Sequence, residues 1–340
     1  MINQIADHLL THSKRLAPGV IVCLAIALAS SFISNNFGGP ILLFALLFGL
    51  AFHFLIKYAA IKPGVDFCGR TILRIGVALL GARITVGQVV RLGPEVAIVI
   101  FLGLVLTILF GVWAASRLGR SREEGLLSGG SVAICGASAA LAISAALPQT
   151  KENQRFTLLA VVSVTVLSTV AMVVYPLLIQ WLELTQIPAG IFLGGTIHDV
   201  AQVVAAGMII GPQAGDIATV VKLFRVMLLV PVVMVVSFTY RNSQNLSEHD
   251  VTMPLIPGFL IAFIVMMLLS TSQLLPPNWI SAATEISRHS LVLAIAAAGI
   301  KTSIEDLLNM GWKPLVLFVM ETIFIGVFVL FCVVFFKLAV

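Results

Sequence analysis

The chain has 340 residues, of which 59% are hydrophobic and only 10% are charged, and its formal net charge is +5. Soluble domains carry about 25% charged residues, so this composition excludes a soluble globular protein and indicates a membrane protein. The positive charge does not indicate nucleic-acid binding, because the basic residues lie mostly in short loops between apolar runs, where they orient membrane helices.

The apolar runs are long and continuous, which predicts transmembrane helices. Strands of a membrane barrel would instead alternate apolar and polar residues over short stretches. The expected fold class is therefore all-α, a polytopic membrane protein with about 11 transmembrane helices. In chain order, the predicted segments cover residues 18–33, 40–55, 64–81, 96–115, 126–147, 156–182, 192–211, 217–240, 254–275, 280–299 and 314–340.

The basic loops also predict the orientation. Lysine and arginine are more frequent in the loops on the N-terminal side of the membrane than on the other side, and cytoplasmic loops carry such an excess. We therefore expect a multi-pass protein of the cell inner membrane with a cytoplasmic N-terminus and the lipid bilayer as its partner. Residues 27–29, Ala-Leu-Ala, imitate a signal-peptidase site, but first membrane helices often do, and we expect this helix to be retained.

Arginines occur within the third, eighth and tenth apolar segments. Arg70 and Arg74 lie on one face of the third segment. Arg70 is close enough to the segment start to snorkel to the interface, whereas Arg74 lies one turn deeper and is a candidate for a cavity. Residues 70–93 align without a gap with residues 288–311, pairing Arg70 with Arg288 in the tenth segment. Because the two regions are seven segments apart, their directions are opposite, which predicts an inverted repeat.

Two glycine pairs interrupt the fifth and seventh segments. Paired glycines weaken a helix, and unwound backbone at membrane depth is tolerated only where it is buried in protein or lines a cavity. Many transporters hold their substrate at such breaks, so we expect both helices to be interrupted at the glycines. Close helix packing is the alternative explanation for these residues. The two sequences are Gly129-Gly130-Ser131 and Gly194-Gly195-Thr196.

Ionisable residues lie close to the second glycine pair. His198 and Asp199 follow it directly, and Gln202 lies one turn further on. Lys222 and Arg225 share one face of the eighth segment. Since ionisable residues inside membrane segments are rare and usually functional, these side chains predict a substrate or ion pathway.

Three sequences carry a resemblance to a known family. SGGSVAICGASAA (128–140), GGTIHDVAQVVAAG (194–207) and VVKLFRVMLLVPV (220–232) resemble the YeiH-type family of bacterial inner-membrane proteins, which are named as sulfate exporters. That family is similar in fold to the sodium/proton antiporter and bile-acid symporter superfamily. The resemblance implies crossing discontinuous helices in a core domain, a second panel domain, and a homodimer.

We interpret the whole chain, residues 1–340, as a single transporter domain with core segments at about 64–240 and 280–340 and peripheral helices at about 18–56. The expected function is secondary active export of a small inorganic or organic anion, coupled to protons or sodium. Asp199, with His198 next to it, is the expected ion-coupling site. The candidate substrate-binding residues are Arg74, Gly129, Gly130, Ser131, Cys135, Ser138, Gly194, Gly195, Thr196, His198, Gln202, Lys222, Arg225 and Arg288.

Other functions are less compatible with the sequence. A cation/proton antiporter would use Asp199 as its exchanging carboxylate. An intramembrane enzyme could draw on Ser131, His198 and Asp199, but His198 and Asp199 are adjacent and point to different helix faces, which does not suit a catalytic relay. The four cysteines lie in separate segments without metal-ligand spacing, so we expect no metal, no cofactor and no enzymatic activity.

Overall fold

The computed structural model describes residues 2–37, 40–148, 150–240, 258–303 and 312–336. Within these ranges the regular elements are helices, as the long apolar runs predict. They are α1 (Ile2–Phe37), α2 (Ile41–Ala51), α3 (Lys62–Phe67), α4 (Leu73–Leu80), α5 (Val86–Arg91), α6 (Gly93–Arg117), α7 (Arg122–Ala133), α8 (Ala137–Ala146), α9 (Lys151–Trp181), α10 (Gln186–Thr196), α11 (Val200–Ile210), α12 (Pro212–Met227), α13 (Leu229–Tyr240), α14 (Gly258–Thr271), α15 (Pro277–Lys301) and α16 (Trp312–Phe335).

Several helices are long and apolar enough to cross a membrane, and shorter apolar helices accompany them. The prediction of a polytopic helical membrane protein is therefore confirmed. The count of eleven spans and the inverted repeat stay predictions, and residues 304–311 of the aligned repeat lie outside the described residues. The long segments are Lys14–Phe37, Gly93–Arg117, Lys151–Trp181, Pro212–Tyr240 and Trp312–Phe335.

The chain forms two compact units. The first consists of Met1–Val86 and Phe259–Ser303, and the second of Gly87–Gly258 and Ile304–Val340. The helices that we expected to be peripheral, at about residues 18–56, thus share a unit with α3, α4 and α15. The assignment of one transporter domain stays a prediction.

Small residues allow the helices of the first unit to approach closely. α15 packs against α2 and α4. A Cβ atom on Gly49 of α2 would lie 2.5 Å from the Ala296 carbonyl oxygen of α15, so only glycine fits there. Near α4, the Ser287 hydroxyl donates a hydrogen bond of 2.6 Å to the Gly76 carbonyl.

The second unit uses glycines in the same way. α6 packs against α7, and a Cβ atom on Gly125 would lie 2.7 Å from Cα of Val112. α10 packs against α12, where a Cβ atom on Gly190 would lie 2.8 Å from the Ala214 carbonyl oxygen. These contacts hold α7 and α10, the two helices that carry the glycine pairs, against long neighbours.

Candidate functional site

Two helices of the second unit are interrupted. The first ends at Ala133 and resumes as α8 at Ala137. The second ends at Thr196 and resumes as α11 at Val200. Each interruption leaves a helix C-terminus and a helix N-terminus inside the unit, with backbone groups that the helices themselves do not pair.

The predicted position of the interruptions is wrong. Both helices continue through the glycine pairs and end only after Ala133 and Thr196. The glycines serve packing instead: a Cβ atom on Gly129 would lie 3.0 Å from Cα of Ile108, and one on Gly195 would lie 2.8 Å from Cδ1 of Ile100. Because an apolar environment offers the backbone no other partner, helical hydrogen bonding outweighs the low helix propensity of glycine, about 1 kcal/mol per residue.

A different glycine shapes the first interruption. Gly136 has φ of 66° and ψ of −124° and directly precedes α8. L-amino acids with side chains rarely adopt this conformation. The position of the break therefore follows from Gly136 rather than from Gly129 and Gly130.

Lys222 and Arg225 on α12 lie between the C-termini of the two interrupted helices, and both are fully buried. Arg225 makes four of the five hydrogen bonds that a guanidinium can donate, and Lys222 makes two of its three. The acceptors of Arg225 are the carbonyls of Val132 (2.8 Å), Ala133 (2.9 Å), Gly194 (3.1 Å) and Ile197 (3.2 Å), and those of Lys222 are Ile134 (2.6 Å) and Ile197 (2.9 Å).

These bonds define the role of the two cations. The last carbonyls of a helix lack partners and carry partial negative charge, which a cation stabilises. Lys222 and Arg225 satisfy carbonyls at the ends of both α7 and α10, so they tie the two interruptions together. Most of their donors are used by the backbone and are not free for the anion that the sequence led us to expect beside them.

The hydroxyls near the glycine pairs bond within their own helices. Ser131 donates to the Leu127 carbonyl at 2.5 Å, and Thr196 donates to the Phe192 carbonyl at 2.6 Å. Both side chains are fully buried. Ser138, in contrast, is exposed in the first turn of α8, next to an N-terminus without a side-chain cap.

Asp199 caps α11. Its carboxylate accepts a hydrogen bond of 3.0 Å from the Ala201 N–H, and its own N–H donates to Ser168 Oγ at 3.0 Å. The side chain is partly exposed. A carboxylate at this position complements the partly positive helix N-terminus.

His198 lies deeper than its neighbour and is fully buried. Its Nε2 is 3.0 Å from Thr322 Oγ1, and the Thr322 hydroxyl donates to the Phe318 carbonyl at 2.7 Å. The ring therefore contacts α16 through Thr322.

Two further buried groups lie in this unit. Gln202 of α11, 1% exposed, holds its Nε2 3.5 Å from Thr169 Oγ1. Glu321 of α16 is fully buried and accepts a 2.6 Å hydrogen bond from Ser128 of α7. Glu321 was not among the predicted site residues, although a single acidic residue inside an apolar segment is the signal that drew attention to Asp199.

Arg74 and Arg288 belong to the first unit, on α4 and α15. Both are exposed, and Arg288 donates to Glu285 on its own helix at 2.8 Å. Within the second unit the structure brings together Lys222, Arg225 and the ends of α7 and α10.

The chain matches a family model described as "Conserved hypothetical protein 698" over residues 17–318. It is 46% identical over 321 residues to a UPF0324 membrane protein of Chlorobaculum tepidum, covering 94% of this chain and 90% of the relative. The chain belongs to the UPF0324 family. Another member is the UPF0324 membrane protein TauZ of Paracoccus denitrificans, 48% identical over 92% of this chain and 93% of its own.

Membership in UPF0324 confirms the resemblance to the YeiH-type family. The relatives are named as membrane proteins, in agreement with the apolar helices of this chain. This UPF0324 member is therefore a multi-pass membrane protein.

Proposed function

We propose that this UPF0324 protein is a secondary active transporter rather than an enzyme, and that it exports a small inorganic or organic anion across the bacterial inner membrane. Protons or sodium are the coupling ion. The observation that carries the proposal is the pair of interrupted helices whose C-terminal carbonyls bind Lys222 and Arg225. Discontinuous helices of this kind hold substrates and ions at mid-membrane depth in secondary transporters.

The first turn of α8 is our candidate for the anion site. Its N-cap residue is Gly136, which has no side chain to cap the helix, and the N–H groups of a helix N-terminus favour a bound anion. The exposed hydroxyl of Ser138 adds a donor. Lys222, bound to the Ile134 carbonyl, places a positive charge on the same interruption.

Asp199 is our candidate for the coupling site. It lies at the second interruption, is partly exposed, and presents a carboxylate that can take up a proton or a sodium ion. Asn caps a helix about as well as Asp does, so Asp199→Asn removes the charge and keeps the cap. We expect this variant to retain substrate exchange and to lose uphill accumulation, and unchanged uphill transport would pass the role to His198.

Flux measurements test the transport function itself. Purified protein in proteoliposomes should exchange labelled sulfate, sulfite or a sulfonate across the membrane, and an imposed pH or sodium gradient should drive accumulation. Protein-free vesicles give the leak. If none of these anions crosses faster than the leak, the proposed substrate class is wrong.

A cation/proton antiporter is the second candidate. It is favoured by one observation: the Asp199 carboxylate already occupies the N-terminus of α11, where an anion would otherwise bind. Sodium-dependent proton movement in proteoliposomes without any anion substrate would support it. The same measurement in Asp199→Asn should then give no signal.

We also propose that the transporter is a homodimer with a cytoplasmic N-terminus. The dimer follows from the likeness to the antiporter superfamily, and the orientation follows from the basic loops. Light scattering of the purified protein tests the first statement. Protease accessibility of an N-terminal tag in sealed inner-membrane vesicles tests the second.

A further inference from the structure

Glu321 occupies the middle of an apolar helix. α16 runs from Trp312 to Phe335 and is one of the segments long enough to cross the membrane. With a rise of about 1.5 Å per residue, Glu321 lies roughly 14 Å from the start of α16. That depth is close to the middle of a hydrocarbon core about 30 Å thick. A carboxyl group at this depth needs a physical reason.

The surrounding helices form a socket for the carboxyl group. Ser128 Oγ of α7 donates to Glu321 Oε1 at 2.6 Å. On the other side, a Cβ atom on Gly111 of α6 would lie 2.5 Å from the same oxygen, so the space exists because residue 111 is glycine. The second oxygen, Oε2, is buried without a hydrogen-bond partner in the described part of the chain.

No cation balances this carboxyl group among the described residues. α6, α7, α9 and α10 pack against α16. The charged residues of α6, α7 and α9 lie at the helix ends, and α10 has no charged residue. Tyr175 lies within α9, and His198 bonds to α16 at Thr322. The charged residues are Glu95 and Arg117 of α6, Arg122, Glu123 and Glu124 of α7, and Lys151, Glu152 and Arg155 of α9, with Lys313 and Cys332 as the other titratable groups of α16.

An ionised carboxylate without a partner is unfavourable at this depth, whereas the neutral acid fits a socket with one hydroxyl donor. A purely structural Ser128–Glu321 hydrogen bond would not need an acid, because glutamine offers the same acceptor. α16 also contacts both interrupted helices, since Glu321 bonds to Ser128 within α7 and Thr322 bonds to His198, which lies between α10 and α11. Glu321 is thus placed to sense a rearrangement of either one.

We propose that Glu321, held by Ser128 in the space beside Gly111, is a reversible proton-binding site. The neutral carboxyl releases its proton to water when the socket opens and takes one up before the socket closes. The use of this proton for coupling, in addition to the ion bound at Asp199, rests on the proposed transport function. The proton-binding step itself does not.

Infrared difference spectroscopy of the protein in proteoliposomes tests proton binding without any substrate. Between about pH 6 and pH 9 exposed carboxyls stay ionised, so a carboxylic-acid C=O band that disappears with rising pH reports a buried acid. We expect this band in the wild type and not in Glu321→Gln. Asp199→Asn should keep it. Identical carboxyl-region spectra of wild type and Glu321→Gln, or a band that persists at both pH values, would overturn the proposal.

Ser128→Ala keeps the test decisive if Glu321→Gln does not fold. Loss of the Ser128 hydroxyl removes the hydrogen bond to Oε1, so the band should remain but shift to higher frequency. A band at the wild-type frequency would contradict the assignment to Glu321.

Sulfate flux in the same vesicles separates this inference from the transport proposal. Glu321→Gln should retain sulfate counterflow but lose accumulation driven by a pH gradient, while the exposed-site control Glu152→Gln should behave as the wild type. Accumulation by Glu321→Gln at the wild-type level would remove Glu321 from the coupling step. If the wild type itself moves no sulfate, the proposed function fails for this anion, and the infrared result still decides the proton site.

Discussion

The two interrupted helices share their C-terminal chemistry and differ at the N-termini that follow. Lys222 and Arg225 bind carbonyls at the ends of both α7 and α10. The resumed helix α8 then begins after Gly136, with no side-chain cap, whereas α11 begins after Asp199, whose carboxylate caps its first turn. The interruption before α8 is therefore open to an anion, whereas the Asp199 carboxylate already occupies the interruption before α11.

This difference assigns anion binding and ion coupling to different interruptions, whereas the sequence suggested overlapping residues for both. The open N-terminus of α8 suits an anionic ligand. The α11 N-terminus presents an acid that a proton or sodium ion can neutralise. Shared cations on α12 link the two, so a change at one interruption reaches the other through the hydrogen bonds of Lys222 and Arg225.

Removal of the charge of Arg225, one of the two shared cations, should have the largest effect on stability and flux. Arg225→Met removes four hydrogen bonds to buried carbonyls, of which the Ile197 carbonyl keeps a second donor, Lys222. Breaking a buried charged network costs about 3–5 kcal/mol, so we expect a large fall in thermal stability and no flux. Arg288→Met, on the exposed side of α15, should stay within about 0.5 kcal/mol of the wild type. Equal melting temperatures for the two variants would refute the neutralising role of Arg225.

A substitution at Gly136 tests the first interruption alone. There is room for a Cβ atom, whose nearest neighbour would be Val164 Cγ2 at 3.4 Å. The cost of Gly136→Ala is therefore backbone strain, about 1–3 kcal/mol, and the start of α8 should shift. We expect reduced stability together with weaker sulfate binding in a thermal-shift titration. Wild-type stability would show that glycine is not required there.

Substitutions at Asp199 test the second interruption and should have the smallest effect on stability. Asp199→Ala removes the cap and should cost about 1 kcal/mol. Asp199→Asn keeps a capping side chain, so its stability should change by only a few tenths of a kcal/mol. Melting curves of the two variants measure the difference. If both lose the same stability, the carboxylate contributes its charge rather than its cap.

The positions of the helices could be predicted from the sequence, and those of the interruptions could not. Continuous apolar runs predicted segments at 126–147 and 192–211, which correspond to α7 with α8 and α10 with α11. The glycine pairs predicted breaks that lie before the observed helix ends, because glycine is found both where helices unwind and where helices pack closely. Only the neighbouring backbone, such as Ile108 beside Gly129, distinguishes these uses.

The candidate site shows the same division. Burial of Lys222 and Arg225 followed from their position in an apolar segment. Their partners did not, because the carbonyls of Val132 and Gly194 are far away in sequence and meet on α12 only after folding. Glu321 could have been found by applying to the last segment the reasoning that singled out Asp199.

The most direct test of an anion site at α8 is the accessibility of residue 138. The four native cysteines are buried, so Ser138→Cys should provide the reactive thiol for a membrane-impermeant anionic thiosulfonate. Ser281→Cys, at an exposed serine of α15, is the matched control. We predict that sulfate, or whichever anion is transported, slows modification of Ser138→Cys and leaves Ser281→Cys unaffected. Equal modification of Ser138→Cys with and without the transported anion would contradict an anion site at α8.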